Sequence, residues 1–285
     1  MRGAVLVLIL AIGACKPQPR EVVTPALWEV TGERGERAWL FGTIHALPAP
    51  VDWRSAQVEA ALTGSDRLVL EIASIDDQQA LSRIYAQLAA SPAQPALEAR
   101  VPPSMKPVLL ALLRKLKLDP DQYRETETWA AALTIANAAQ GEADADFGID
   151  REILKAAKAK PVSELEGAAA QLGLFDALPE ADQRDLLAAI VTEAAQDSGD
   201  DRLGTAWRKG DMTVLEAETR SGMLADPQLH QVLLVDRNNA WANRLSVMLK
   251  QGARPLVAVG ALHLAGPDGL PSQLAARGYK VRRLQ

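Results

Sequence analysis

Cysteine occurs once in the 285 residues, at Cys15, so an internal disulfide is excluded. Aromatic residues are 4% of the chain, and histidine occurs only at positions 45, 230 and 263. No apolar run approaches the roughly 20 residues that a membrane-spanning helix requires. Basic charge is not in excess either: the net charge is −5 and Lys and Arg are scattered, which argues against nucleic acid as a partner. No tandem repeat of solenoid length is present.

What remains is ordinary globular material, with 48% hydrophobic and 24% charged residues. Ala-rich, helix-forming stretches fill the middle of the chain and predict helices packed around a small sheet. The N-terminus has a different character. Met1-Arg2 brings a positive charge, Ala4 to Ile12 is apolar, and Ile12-Gly13-Ala14-Cys15 follows. This pattern predicts a secretory signal over residues 1–14, ending in a lipobox whose Cys15 is lipidated. An uncleaved anchor, or an ordinary signal peptide with an incidental cysteine, is the competing reading. Residues 15–25 are expected to be the lipidated cysteine and a tether, and residues 26–285 the folded domain. Lys16 rather than Asp follows the cysteine, so the expectation is a lipid-anchored, periplasm-facing envelope protein, with the outer membrane preferred.

Two strand-like runs, Trp28 to Val30 and Ala38 to His45, flank a polar turn and predict a hairpin. A helix over Arg54 to Leu62 and a buried strand over Arg67 to Ile72 follow, making a strand–helix–strand unit that favours parallel pairing. From Asp76 to about Arg244 the apolar spacing is mostly helical. One short interruption at Lys160 to Glu166 is the right length for a strand returning to the sheet. Pro255 to Val259 is a further strand, then come a helix from Leu270 to Ala276 and a last strand from Lys280 to Leu284. The expected fold class is therefore α/β: a single domain whose central mixed sheet is built from both chain ends, with a long helical insertion between them.

Two of the three histidines follow a glycine by three residues, in Gly42-Thr43-Ile44-His45 and Gly260-Ala261-Leu262-His263. Both motifs sit where an apolar strand gives out. Ligands of α/β sheets bind at the carboxyl ends of strands, and glycine there permits a tight turn and close approach. Positions 45 and 263 are 218 residues apart, yet adjacent strands would bring them together. Two imidazoles at one spot invite a metal. Glu71, at the end of Leu68-Val69-Leu70, is the natural third ligand, with a salt bridge to a nearby arginine as its bland alternative. Two histidines and a carboxylate are the ligand set of many hydrolytic zinc and non-haem iron sites. His230 is expected on a helix, partly exposed and outside the site.

At these residues the sequence resembles the TraB/GumN family, which is related to the Tiki metalloproteases and more remotely to erythromycin esterases and the haem-binding ChaN lipoproteins. The matching stretches are Leu27 to Val30, Trp39 to His45, Leu68 to Glu71, Gly148-Ile149-Asp150, Leu165-Glu166, Asp236-Arg237-Asn238 with Trp241, and Val259 to Leu264 through Gly278-Tyr279. The resemblance implies a central mixed sheet with a site between two halves of the chain. It implies metal-dependent peptide hydrolysis through His45, His263 and Glu71, with manganese or cobalt favoured where the ligand set alone favours zinc. Arg237 and Asn238 are implied as substrate- or oxyanion-binding groups, against helix capping and surface pairing. Asp150 and Glu166 match family positions and are held in reserve, Asp150 being equally suited to cap a helix.

The expected function is thus a metal-dependent hydrolase of the cell envelope, acting on a peptide or protein. A haem-binding protein without catalysis and a peptide-sequestering scaffold are the alternatives.

Overall fold

The computed structural model describes residues 19–157, 159–196 and 201–285. The expected signal segment 1–14, the expected lipidation site Cys15 and residues 16–18 of the expected tether lie outside the described residues. Among those residues, no helix is long and apolar enough to cross a membrane.

The chain opens with a two-residue strand, β1 (Glu21–Val22), followed by the hairpin β2 (Leu27–Thr31) and β3 (Arg37–Thr43). The hairpin turn closes through Gly32, whose N–H donates to the Glu36 carbonyl at 2.9 Å. After the short strand β4 (Val51–Asp52) come α1 (Ala56–Gly64) and β5 (Arg67–Leu70). Ser55 caps α1 by accepting from the Val58 N–H. Strand β1 pairs in parallel with β4, and Val23 just beyond it is buried. Residues 21–25, expected to belong to the tether, are therefore packed onto the fold.

The insertion follows: α2 (Gln78–Ala89), α3 (Lys106–Leu116), α4 (Thr128–Ala139) and α5 (Ile149–Ala156) precede β6 (Val162–Glu164). Beyond β6 lie α6 (Ala168–Asp176), α7 (Glu180–Ala195), α8 (Arg202–Lys209), α9 (Met212–Glu218) and α10 (Pro227–His230). A π-helical turn over Gln231–Val235 joins α10 to α11 (Asp236–Lys250). The chain ends with β7 (Pro255–Gly260), α12 (Leu270–Ala276) and β8 (Lys280–Arg283).

Six strands form one mixed sheet in the order β6-β5-β7-β3-β2-β8. The first four run parallel, and β2 runs antiparallel to both β3 and β8. The expected parallel relation of β3 and β5 holds, but β7 from the far end of the chain is threaded between them. Several of the expected elements are offset from their sequence positions, and β5 ends at Leu70 rather than Ile72. The first helix begins at Ala56 rather than Arg54, β3 stops at Thr43 so that His45 stands in the loop beyond it, and α5 runs from Ile149 rather than Arg151.

Alternation along the central strands serves two cores. Trp39, Phe41, Leu68, Leu70, Leu256 and Ala258 face one way, onto α1, α5 and Trp207. Leu40, Val69, Val257 and Val259 face the other way, onto α11 and α12. The helical insertion keeps a third core of its own, around Trp129, Leu109, Leu112, Leu187 and Ile190. The β8 edge carries Lys280, Arg282 and Arg283, charges that discourage pairing with another chain.

Candidate functional site

Four parallel strands discharge their next residues at one edge of the sheet. Strand β3 leads to His45, β5 to Glu71, β6 to Glu166 and β7 to His263. The pairing Thr43↔Gly260 sets the two Gly-x-x-His motifs side by side, and Leu70↔Ala258 brings Glu71 next to the second of them. The Gly260 N–H donates to Glu71 Oε1 at 2.7 Å.

Each histidine is held by its Nδ1. His45 Nδ1 lies 2.7 Å from Asp150 Oδ2, and Thr43 Oγ1 donates to the other oxygen of that carboxylate at 2.6 Å. Asp150 sits in the first turn of α5, which is pinned beneath the histidine loop by the Ile149 N–H donating to the Ile44 carbonyl at 2.9 Å. A Cβ on Gly148 would stand 2.2 Å from the His45 carbonyl oxygen, so only glycine permits this approach. Asp150 is therefore an orienting partner of His45 and not a helix cap; the N-cap position belongs to Gly148.

His263 lies in a 3-10 turn over Ala261–Leu264, buried against Trp241 with ring centroids 4.5 Å apart. Its Nδ1 is 2.7 Å from Asn238 Oδ1, and its Nε2 is 3.1 Å from Arg237 Nη1. A guanidinium can only donate, so Nε2 accepts and the proton resides on Nδ1, which donates to Asn238. Asn238 is fully buried and passes its own Nδ2–H to the Asp268 carbonyl at 2.9 Å.

Arg237 is the hub. Its Nη2 donates to Glu71 Oε2 at 2.8 Å and to Glu166 Oε1 at 2.5 Å, and its Nη1 also donates to the Leu233 carbonyl at 3.1 Å. The guanidinium lies over Trp241, 4.7 Å from the ring centroid. Gln171 on α6 donates to both Glu71 Oε2 and Glu166 Oε1 at 3.0 Å, and the Trp241 indole N–H donates to Glu166 Oε2 at 3.2 Å. Neither Arg237 nor Asn238 caps a helix, and neither pairs on the surface.

The charges follow from these contacts. Burial, reinforced by Arg237, drives His263 down to about 3, so it is neutral over the ordinary range. Burial would raise Glu71, yet neighbouring positive charge and the Gly260 N–H hold it at about 2. With His263 neutral at ordinary pH, the standing contributions are those of His45, Arg237 and Gly260. The Asp150 carboxylate raises His45 above the usual imidazole value. The His45 side chain is 72% exposed, so solvent screens part of that pull.

The sequence-expected site residues His45, Glu71, His263, Arg237, Asn238, Asp150, Glu166, Gly42 and Gly260 all gather here. Gly42 acts through its backbone, its carbonyl accepting from Trp207 Nε1 at 3.0 Å. His230 stays outside, its Nδ1 2.9 Å from the Thr219 carbonyl oxygen. Thr43 and Gln171 were not foreseen. Thr43 lies inside the first motif and could have been noticed there, whereas Gln171 carries no signal on its helix.

Among the described residues, no group of three or more His, Cys, Asp or Glu side chains is arranged to hold a metal ion. The nearest approach to a ligand set surrounds Gly260. A Cβ placed there would be 3.4 Å from Glu71 Oε1, 3.7 Å from His45 Nε2 and 3.8 Å from His263 Cδ2. Both imidazoles have Nδ1 fixed by a hydrogen-bond acceptor, the arrangement that leaves Nε2 as a donor atom. The Arg237 cation bridges His263 Nε2 and Glu71 Oε2, the position a metal would contest. The donor types are those that take a divalent ion, while the position between His263 Nε2 and Glu71 Oε2 is held by Arg237.

The profile of the TraB/PrgY/gumN family matches residues 26–283. The chain belongs to the TraB/PrgY/gumN family. Two relatives share 30% identity with it. One, from Shigella flexneri, carries the description "Uncharacterized protein YbaP" and aligns over 260 residues, 88% of this chain and 92% of the relative. The other, with the same description, is from Escherichia coli (strain K12) and aligns over 245 residues, 82% of this chain and 86% of the relative. No solved structure matches. Within this TraB/PrgY/gumN chain, the matched span takes in both histidine motifs and every partner described above.

Proposed function

We propose that this chain is a metal-dependent hydrolase of the cell envelope acting on peptides, tethered through a lipidated Cys15. The observation that carries the reading is the pair of imidazoles anchored at Nδ1, by Asp150 and by Asn238, 2.7 Å in each case, on either side of Gly260. His45, His263 and Glu71 would hold a divalent ion, with manganese, cobalt and zinc as candidates. Such an ion would supply Lewis-acid activation of a carbonyl and of water near neutrality.

The chain's own groups divide the remaining work. Asp150 and Asn238 fix the tautomer and ring orientation of the two histidines. Glu166 receives the Arg237 guanidinium, and Gln171 donates to both Glu166 and Glu71 and so orients Glu71. Arg237, released from His263 Nε2, is placed to meet a substrate carboxylate or a developing oxyanion. The largely apolar cavity over the site, about 440 Å³ in volume, is where a substrate would enter.

The test is metal content of the purified chain beside a His45→Ala/His263→Ala variant, each exchanged against zinc, manganese and cobalt and read by elemental mass spectrometry. About one equivalent in the parent, lost in a variant that keeps its circular dichroism, is the expected result. Cleavage of a peptide library would follow. A parent that retains no metal under any condition would sink the hydrolase reading and favour haem or peptide binding.

A further inference from the structure

The cavity above the histidines is chemically lopsided. Its floor is polar, formed by Thr43, His45, Glu71, Gln171, Arg237 and His263. Its walls are apolar, from Phe175, Leu203, Trp207, Leu215 and Leu233. The basic groups of the floor are already matched, Arg237 by Glu71 and Glu166, and His45 by Asp150.

The other polar part is the turn at Ser221–Gly222, which lines the cavity together with two carboxylates, Glu193 from α7 and Glu218 from α9. Both carboxylates belong to this turn. A Cβ on Gly222 would meet Glu193 Oε2 at 2.9 Å, and Ser221 Oγ donates to Glu218 Oε2 at 2.6 Å. Among the described residues Glu218 pairs with Arg202 at 3.3 Å, which offsets its charge and leaves Glu193 as the unpaired carboxylate. Glu193 is exposed, and its carboxylate has no hydrogen-bond or ion-pair partner among the described residues. The mouth therefore carries one unpaired carboxylate, Glu193, beside an apolar hollow. That charge favours a cation carried next to an apolar group over an anion at the same mouth.

We propose that the cavity binds a peptide segment that seats a bulky apolar side chain in the hollow and presents a lysine or arginine to Glu193 and Glu218 at the Ser221–Gly222 mouth. This rests on the peptide-hydrolase reading for the choice of a peptide as occupant; the charge preference rests on the mouth itself.

The experiment uses short fluorescein-labelled peptides identical except for Lys, Gln or Glu beside a central Phe. Binding to the purified chain is read by anisotropy with chelator present, so no turnover intervenes. The Lys peptide should bind about tenfold more tightly than the Glu peptide at low salt, and the gap should shrink as salt is added. Glu193→Gln should narrow the gap and Glu193→Lys should close or reverse it, both with unchanged thermal melting because Glu193 has no partner to lose. Equal binding of the three peptides, or a ranking that survives Glu193→Lys, would overturn the proposal. Charge preference without cleavage under any metal fails the hydrolase reading and leaves this inference standing. Metal-dependent cleavage without charge preference does the reverse.

Discussion

His45 and His263 occupy matching motifs, yet their surroundings push them in opposite directions. Burial holds His263 at about 3, so between that value and 6.5 the unfolded chain binds a proton that the folded chain refuses. Stability therefore falls as pH drops through that window. Asp150 raises His45, so the folded chain keeps a proton there longer than the unfolded chain does. Its contribution is fully present below 6.5 and is lost as pH climbs toward about 9. The melting temperature in chelator is thus expected to peak near pH 6.5. His263→Gln should flatten the acid limb and Asp150→Asn the shallower alkaline limb. A profile that neither substitution alters would assign the pH dependence to other groups. These two histidines, with Glu71, were readable at the ends of apolar strands, and the family resemblance pointed to Arg237 and Asn238. Gln171 was not readable, because its importance arises only when α6 packs across the ends of β5 and β6.

The π-helical turn over Gln231–Val235 is the element on which the site's geometry depends most. Its widened ring sits directly before Arg237 and Asn238 and includes Leu233, whose carbonyl accepts from Arg237 Nη1. Such turns behave as single-residue expansions of an α-helix and cluster at functional positions. Deleting Val232, which is half-buried, should let α10 and α11 run on as regular helix. The chain should stay folded by circular dichroism and, on the metal-site proposal, lose metal binding, because removing one residue turns Asn238 by about 100° relative to α10 and away from His263 Nδ1. Retention of both fold and metal would show that the turn is incidental. Helical periodicity marks the elements on either side but cannot show this expansion, since the apolar spacing of one extra residue is absorbed within the pattern.

At the scale of the molecule, the helical insertion has its own core while the sheet has two, which predicts unequal local stability. Trp129→Ala in the insertion should cost about 3–5 kcal/mol. Hydrogen exchange should accelerate across α3, α4 and α7 and stay slow in β3 and β7. Equal acceleration in the sheet would mean that the lobes open together. That both chain ends build the sheet was legible from the paired motifs and their apolar strands. The insertion of β7 between β3 and β5 was not, because strand order is fixed by long-range packing and leaves no local trace. That order also imposes a chronology. A ribosome delivers His45 and Glu71 before the whole helical insertion, and β7, the strand that sets the two histidine motifs side by side, only after it. Until β7 is made, the chain carries only half of the cluster around Gly260. A cluster assembled across the insertion is thereby withheld until the insertion itself has been synthesised.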